Sequence, residues 1–247
     1  MQYLLIDGSF FIFHRVTALN IWWKNSHPDE QLDNPFKNEE FVSKFKSTFI
    51  SKIKEIIKKL KLINPKIYVG KDCPRKDIWR MDIHKEYKGT RSNNLDYISS
   101  FFRLAYDEQL FNKSGAEIIL CHPKLEADDC IALITKNIQK NDSNAEIVII
   151  TSDHDYLQLQ KDNIKILNTK LDPINQKNIL ETANQCLFNK IIMGDKSDNI
   201  NGIFKKCGKK TAQKYFEDKE LFEYQLIKEN AKEKFNENQK LIDFNYI

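Results

Sequence analysis

The 247-residue chain has no apolar run near the roughly 18 residues that cross a bilayer, so no spanning helix is expected. Its opening segment, MQYLLIDGS, is too short in apolar residues for a secretion signal and ends in acid at Asp7. The reading is therefore an intracellular protein, from a prokaryote or a virus-infected cell, with no membrane partner. The five cysteines (Cys73, Cys121, Cys130, Cys186 and Cys207) are odd in number, scattered and without a CxxC pair, which excludes a disulfide framework. Cys121 stands beside His122, but no second ligand pair lies at finger-like spacing, so zinc is not expected. Charge of one sign is also scarce: 39 Lys and Arg against 35 Asp and Glu give +4, too little to argue a nucleic-acid partner from net charge. Internal repeats and low-complexity tracts are absent. What remains is a globular chain, 41% hydrophobic, long enough to bury a sizeable core.

Five short apolar runs read as strands: Tyr3–Ile6, Ile67–Val69, Glu117–Leu120, Ile147–Ile150 and Ile164–Leu167. They are runs and not alternations, as parallel strands covered on both faces require. Between the first two, Phe41, Phe45, Phe49, Ile53, Ile56, Ile57 and Leu60 recur at helical spacing with lysines interleaved, a core stripe with a solvated lysine face. The segment from His27 to Phe36 is a loop, and residues 184–247 read as a helical region without strands. Strand alternating with helix predicts an α/β fold with a mainly parallel central sheet.

In such a sheet, ligands sit beyond the carboxyl ends of the strands. That rule gathers the acids. Asp7 ends the first strand and Asp72 follows the second; LEADDC, after the third, supplies Glu126, Asp128 and Asp129 at a helix start; TSDHD, after the fourth, supplies Asp153 and Asp155. MGDKSDN adds Asp195 and Asp198, three apart. Each acid alone has an ordinary explanation in helix capping or turn formation. Together, nine carboxylates on one rim need a neutralising cation, and oxygen-only ligands suit magnesium or manganese. Two such ions are expected, in a geometry suited to phosphodiester hydrolysis.

The ordered set LLIDGS, EYKGTR, EADD, TSDHDYLQL and MGDKSDNINGI, spread over nearly the whole chain, resembles the flap endonuclease or 5′ nuclease superfamily, especially its phage and bacterial 5′→3′ exonucleases and phage ribonuclease H enzymes. The resemblance implies a PIN-like nuclease domain over residues 1–183, with a helical arch inserted at about 71–115, and a helical duplex-binding region over 184–247. It assigns Asp7, Asp72, Glu126 and Asp128 to one metal, and Asp129, Asp153, Asp155, Asp195 and Asp198 to the other or its surroundings. A tail beyond Ile247 is a further expectation.

From Lys71 to Arg91, seven basic residues stand against four acids, with Trp79 and Tyr87 interleaved. The mixture suits phosphate contact and base stacking, a surface loop of ordinary charge being the alternative. The resemblance makes it the arch, with Lys88 and Arg91 as catalytic phosphate contacts and Arg80 and Tyr87 as nucleic-acid contacts. It also places Phe13 where an aromatic stacks on a base, whereas Phe10 reads as core. In NINGIFKKCGKKTAQKYF it implies a helix-hairpin-helix that grips duplex DNA through Lys205, Lys206, Lys209 and Lys210. Potassium binding there is weakened as an expectation, because Lys205 and Lys206 occupy the region of an expected glycine. The function so implied is a 5′ flap endonuclease or 5′→3′ exonuclease of replication or repair, acting as a monomer on DNA with a 5′ flap or 5′ end, RNA primers included. No sliding-clamp partner is expected, because QKLIDFNY places Asn245 at an aromatic position of that docking pattern. The alternatives are a PIN-type ribonuclease acting on RNA only, a non-catalytic nucleic-acid scaffold and, for Asp153 and Asp155 alone, a DxD glycosyltransferase.

Overall fold

The computed structural model describes residues 1–90, 96–174 and 182–247. Five parallel strands form one sheet in the order β3-β2-β1-β4-β5: β1 (Gln2–Asp7), β2 (Lys66–Gly70), β3 (Ile118–Leu120), β4 (Glu146–Ile150) and β5 (Ile164–Leu167). All five coincide with the apolar runs of the sequence. In the central strands β1 and β4 the runs are continuous because successive side chains point to opposite, buried faces. Leu4, Ile6, Val69, Val148 and Ile150 enter one core layer, and Leu5, Ile147, Ile149 and Ile166 enter the other.

The first layer is closed by α1 (Gly8–Ser26) and α2 (Glu39–Lys59). In α2 the side chain of Asn38 accepts the Phe41 N–H at 2.9 Å, Glu39 and Glu40 occupy the first turn, and Lys58 and Lys59 the last. These are the charges that the helix dipole favours. Its stripe of Phe41, Phe45, Phe49, Ile53 and Ile56 is fully buried, contributing on the order of 1.5–3 kcal/mol per side chain. After the short α3 (Arg80–Ile83), α4 (Asp96–Asp107) and α5 (Leu110–Lys113) join this same layer through Phe101, Ala105, Leu110 and Phe111. Within the stretch 71–115 expected to form an arch, Phe101, Ala105, Leu110 and Phe111 are core residues, while Asp72, Arg80, Tyr87 and Lys88 stand at the site; residues 91–95 lie outside the described residues.

Across the sheet lies α6 (Ala127–Asn141), and beyond it a helical region of α7 (Ala183–Met193), α8 (Lys209–Glu217), α9 (Lys219–Lys228) and α10 (Lys232–Ile242). Between α7 and α8 runs a two-stranded antiparallel ribbon, β6 (Gly194–Asp195) with β7 (Ile200–Asn201), a departure from the all-helical expectation. Two residues per strand carry no readable period. Gly194 opens the ribbon at φ +77°, where an added Cβ would lie 2.3 Å from the Ile200 carbonyl oxygen, so only glycine fits. The helical region is tied to the rest by shared core: Cys73, Ile78 and Tyr87 pack with Ile191, Ile200, Leu241 and Ile242. Among the described residues, no helix is long and apolar enough to cross a membrane.

Candidate functional site

The strand order reverses direction between β1 and β4, which opens the crevice where open α/β sheets receive ligands. Asp7 ends β1 with its Oδ1 accepting the Phe10 N–H at 3.0 Å, so it caps α1 while its Oδ2 accepts from the Tyr156 hydroxyl at 3.0 Å. Asp72 lies beside it, bonded by the Ser9 hydroxyl and, through Oδ1, by the Ala127 N–H at 2.6 Å. That last bond brings the start of α6 against β2. The approach depends on Gly70, where a Cβ would lie 2.5 Å from the Ala127 carbonyl oxygen. Glu126 and Asp128 follow on the same helix start, and Glu126, Asp128 and Asp129 offer oxygens within 4.8 Å of one another.

Asp129, expected at or near the second ion, is the most heavily hydrogen-bonded acid of this group. It is fully buried, its Oδ1 and Oδ2 accept from the Arg80 guanidinium at 2.6 and 2.8 Å, and Oδ2 also accepts from Trp79 Nε1 at 2.9 Å and the Glu126 N–H at 3.1 Å. With both oxygens engaged, it organises the helix start. Arg80 is correspondingly not a surface contact for nucleic acid: it is 2% exposed, also bonds Glu126 Oε2 at 3.1 Å, and reaches the Leu241 carbonyl at 2.8 Å. Tyr87 is likewise interior, 2% exposed, with its hydroxyl 3.0 Å from Glu126 Oε2 and 3.1 Å from Asp198 Oδ2. Burial and the neighbouring carboxylates hold its phenol protonated, so one proton is shared between two acids. In both cases a basic or aromatic residue balances the buried acids, which composition alone makes look like surface.

Asp155, Asp195 and Asp198 form the second group, again with oxygens within 4.8 Å of one another. Asp153 and Asp195 cap short 3-10 turns, accepting the N–H groups of Asp155 at 2.9 Å and Ser197 at 2.8 Å. Lys190, on α7, was not anticipated. Its ammonium bonds Asp155 and lies 2.7 Å from Asp195 Oδ2. A lone charge in an otherwise uncharged helix, five residues before Asp195, was the available signal. Tyr87 links this group to the first, and Tyr156 joins Asp7 to the 153–156 turn.

The electrostatics record the crowding. Burial, with repulsion from Asp72 and Asp153, pushes the Asp7 carboxyl up to about 7 against the pull of the Phe10 N–H and Tyr156. Burial drives Asp128 upward too, with Asp129 and Glu126 adding, and lifts Asp155 to about 6 despite Lys190. Asp195 is the exception: burial opposes its ionisation, but Lys190 and Ser197 outweigh it and hold the group low. Nine acids face three paired cations among the described residues, Arg80, Lys88 and Lys190. That surplus of hard oxygen donors fits divalent cations of the magnesium class.

Lys88 sits at the rim. Its left-handed backbone (φ +55°) is fixed by its N–H donating to the Asp198 carbonyl at 2.9 Å, and its ammonium bonds Glu126 and lies 5.1 Å from the Tyr87 ring centre. Arg91 lies outside the described residues. Phe13 is 50% exposed, whereas Phe10 is half-buried against His14 and it is Phe11 that fills the core. Lys205, Lys206, Lys209 and Lys210 are all exposed, at and just before the start of α8, where Gly208 is the N-cap. α7, the ribbon and α8 thus form a helix, a tight connection and a second helix, with Ile192, Ile203, Phe204 and Ala212 packed between them.

A family model described as the 5′-3′ exonuclease, N-terminal resolvase-like domain, matches residues 2–184. The chain belongs to that family. A 5′-3′ exonuclease of Mycoplasmopsis pulmonis is 31% identical over 216 residues, 82% of this chain and 62% of that protein. The ribonuclease H of Enterobacteria phage T4 is 26% identical over 241 residues, 86% of this chain and 76% of that one. The chain spans less than two thirds of the Mycoplasmopsis exonuclease, and 17% of the DNA polymerase I of Lactococcus lactis, to which it is 30% identical over 155 residues. Among solved structures, the phage T5 flap endonuclease in complex with DNA and metal ions has a TM-score of 0.69 at 19% identity, covering 99% of this chain and 89% of that one. At that identity the likeness establishes the 5′-3′ exonuclease fold.

Proposed function

We propose that the chain is a divalent-metal-dependent, structure-specific 5′ nuclease, hydrolysing phosphodiester bonds at 5′ flaps or 5′ ends of DNA, RNA-primed DNA included. The observation that carries the reading is the meeting of acids from β1, the β2 and β4 ends, α6 and the β6–β7 ribbon in one crevice, bridged by Tyr87. Membership of the 5′-3′ exonuclease family supports it. So do the names of the relatives, two of them exonuclease and ribonuclease H.

On this reading Asp7, Asp72, Glu126 and Asp128 hold one ion, and Asp153, Asp155, Asp195 and Asp198 hold the other, magnesium or manganese in each case. Bound there, the ions supply Lewis acidity to the scissile phosphate and ionise the attacking water. The chain's own residues do the rest. Arg80 and Asp129 fix the start of α6, so that Glu126 and Asp128 face the crevice. Lys88, held by Asp198 and Glu126, presents positive charge where phosphoryl oxygens gain negative charge in the transition state. Arg91 is assigned the same task by its place in EYKGTR. Phe13 offers an exposed ring for stacking on a base, and the lysines before and within α8 track the duplex backbone. Purified protein with magnesium and end-labelled flap, duplex and RNA-primed substrates tests the proposal. Cleavage that requires the ion and is lost in Asp153→Asn is expected. No cleavage, or cleavage of RNA alone, overturns it.

A further inference from the structure

Lys190 stands apart from the other cations of the site. Arg80 lies behind α6, and Lys88 reaches in from the rim, but Lys190 places its ammonium directly on two of the three acids of the second group, Asp155 and Asp195. Its stem rises from the last turns of α7, whose end is fixed by the Gly194 N–H donating to the Lys190 carbonyl, so the side chain is directed at the acids by the same turn that opens the ribbon. The side chain is 25% exposed and those of Asp155 and Asp195 are 12% and 14% exposed, so the three charges meet where water screens them weakly. In the first group the described cations reach one carboxylate of four: Lys88 and Arg80 both bond Glu126, while among the described residues Asp7, Asp72 and Asp128 accept from neutral donors, the Phe10 N–H and Tyr156, Ser9 and the Ala127 N–H, and the Asp129 N–H.

We infer that Lys190 is a built-in counter-cation that competes with the divalent ion for Asp155 and Asp195, making the second group the weaker of the two and the later to load. The inference rests on the nuclease reading above, because it concerns the ion sites that reading assigns. A dication that takes Asp155 Oδ1 and Asp195 Oδ2 displaces Lys190 from both carboxylates. In the first group the ion pairs fall on Glu126 alone, leaving Asp7, Asp72 and Asp128 to receive a dication without displacing a cation. Lys190 is thus a positioning residue that grades the two sites.

Calorimetric titration of the nucleic-acid-free protein with Mn2+ tests this, alongside Lys190→Met, which keeps length and removes charge, and Lys190→Arg, which keeps charge. Two unequal sites are expected in the native chain. Lys190→Met is expected to tighten the weaker site tenfold or more and leave the stronger within twofold, while Lys190→Arg keeps the native isotherm. A weaker site that is unchanged or loosened in Lys190→Met overturns the inference while leaving the nuclease reading intact. Absence of any Mn2+ binding in the native chain overturns both. The native protein also provides a test independent of any variant. The 15N-labelled Lys190 ammonium resonance is expected to hold through the first equivalent of Mg2+ and to shift with the second, and a resonance unmoved through both contradicts the inference.

Discussion

Replacing Arg80 with Met would remove the only described cation that reaches both Glu126 and Asp129. Its guanidinium makes two bonds to Asp129 at 2.6 and 2.8 Å, one to Glu126 at 3.1 Å and one to the Leu241 carbonyl at 2.8 Å, all with the side chain 3% exposed. Asp129 is fully buried, so the substitution strands an ionised or freshly protonated acid in the interior. Removing one partner of such a pair costs about 3–5 kcal/mol, which in a chain of this size lowers Tm by roughly 6–20 °C. Total stability is of order 5–15 kcal/mol, so the variant folds but with little reserve. Circular-dichroism melts of native protein, Arg80→Met and the double variant Arg80→Met with Asp129→Leu read the effect. The double variant is expected to recover most of the loss, because no buried charge is left unpaired. As a control, Lys46→Ala breaks the half-exposed 2.5 Å pair with Glu108, where about 0–1 kcal/mol is at stake. An Arg80→Met melt indistinguishable from that control would refute the reasoning, and so would a double variant less stable than the single.

In the cation-free protein the Asp7 carboxyl, pushed up to about 7 from its ordinary 3.8, keeps a proton in the folded chain that the unfolded chain releases. Stability therefore falls as pH rises from about 4 to about 7 and levels off above. At about 1.36 kcal/mol per pH unit, Asp7 accounts for about 4 kcal/mol of that fall. Urea melts across this range are expected to show the slope and to lose the Asp7 share of it in Asp7→Asn, Asp128 and Asp155 supplying the rest; stability rising with pH over the window contradicts the sign. Lys88→Ala is expected to lower kcat on a flap substrate about 100- to 1000-fold with substrate affinity little changed, measured by single-turnover cleavage. Phe13→Ala is expected to weaken single-strand binding by about 1–3 kcal/mol in a fluorescence anisotropy titration, with Tm unmoved because the ring is half exposed. Changing Lys205, Lys206, Lys209 and Lys210 together to Ala is expected to reduce the slope of log affinity for duplex against log salt by up to about 3.6, from about 0.9 for each phosphate contact. An unchanged slope removes the α7–α8 connection from the duplex interface.

The sheet was legible because its central strands are buried on both faces, so β1 and β4 read as apolar runs, LLI at Leu4 and IVII at Ile147, while the edge strands are shorter or broken, with Ile118 and Lys165 exposed. The acids were legible for a topological reason: Asp7, Asp72 and Asp153 each follow a strand, and parallel strands deliver their ends to one rim. What sequence did not reveal is how those acids are balanced. Arg80, Tyr87 and Trp79 lie in a segment whose mixture of charge and aromatics has the composition of a surface, yet Arg80 and Tyr87 are interior because the acids they serve are interior. Lys190 contacts Asp155 across 35 residues, and no local period reports such a contact. The β6–β7 ribbon is too short to carry an alternation. Phe10, read as core, is only half-buried and Phe11 fills the core instead, because α1 begins at Gly8, capped by Asp7, and that start sets which ring faces the sheet.

Crystals grown with Mn2+ and measured at its absorption edge would test the account most directly. Two anomalous peaks are predicted, one against Asp7, Asp72, Glu126 and Asp128 and the other against Asp153, Asp155, Asp195 and Asp198. A crevice with no peak, or peaks only at isolated surface acids, would contradict the claim that these distant carboxylates share metal ions.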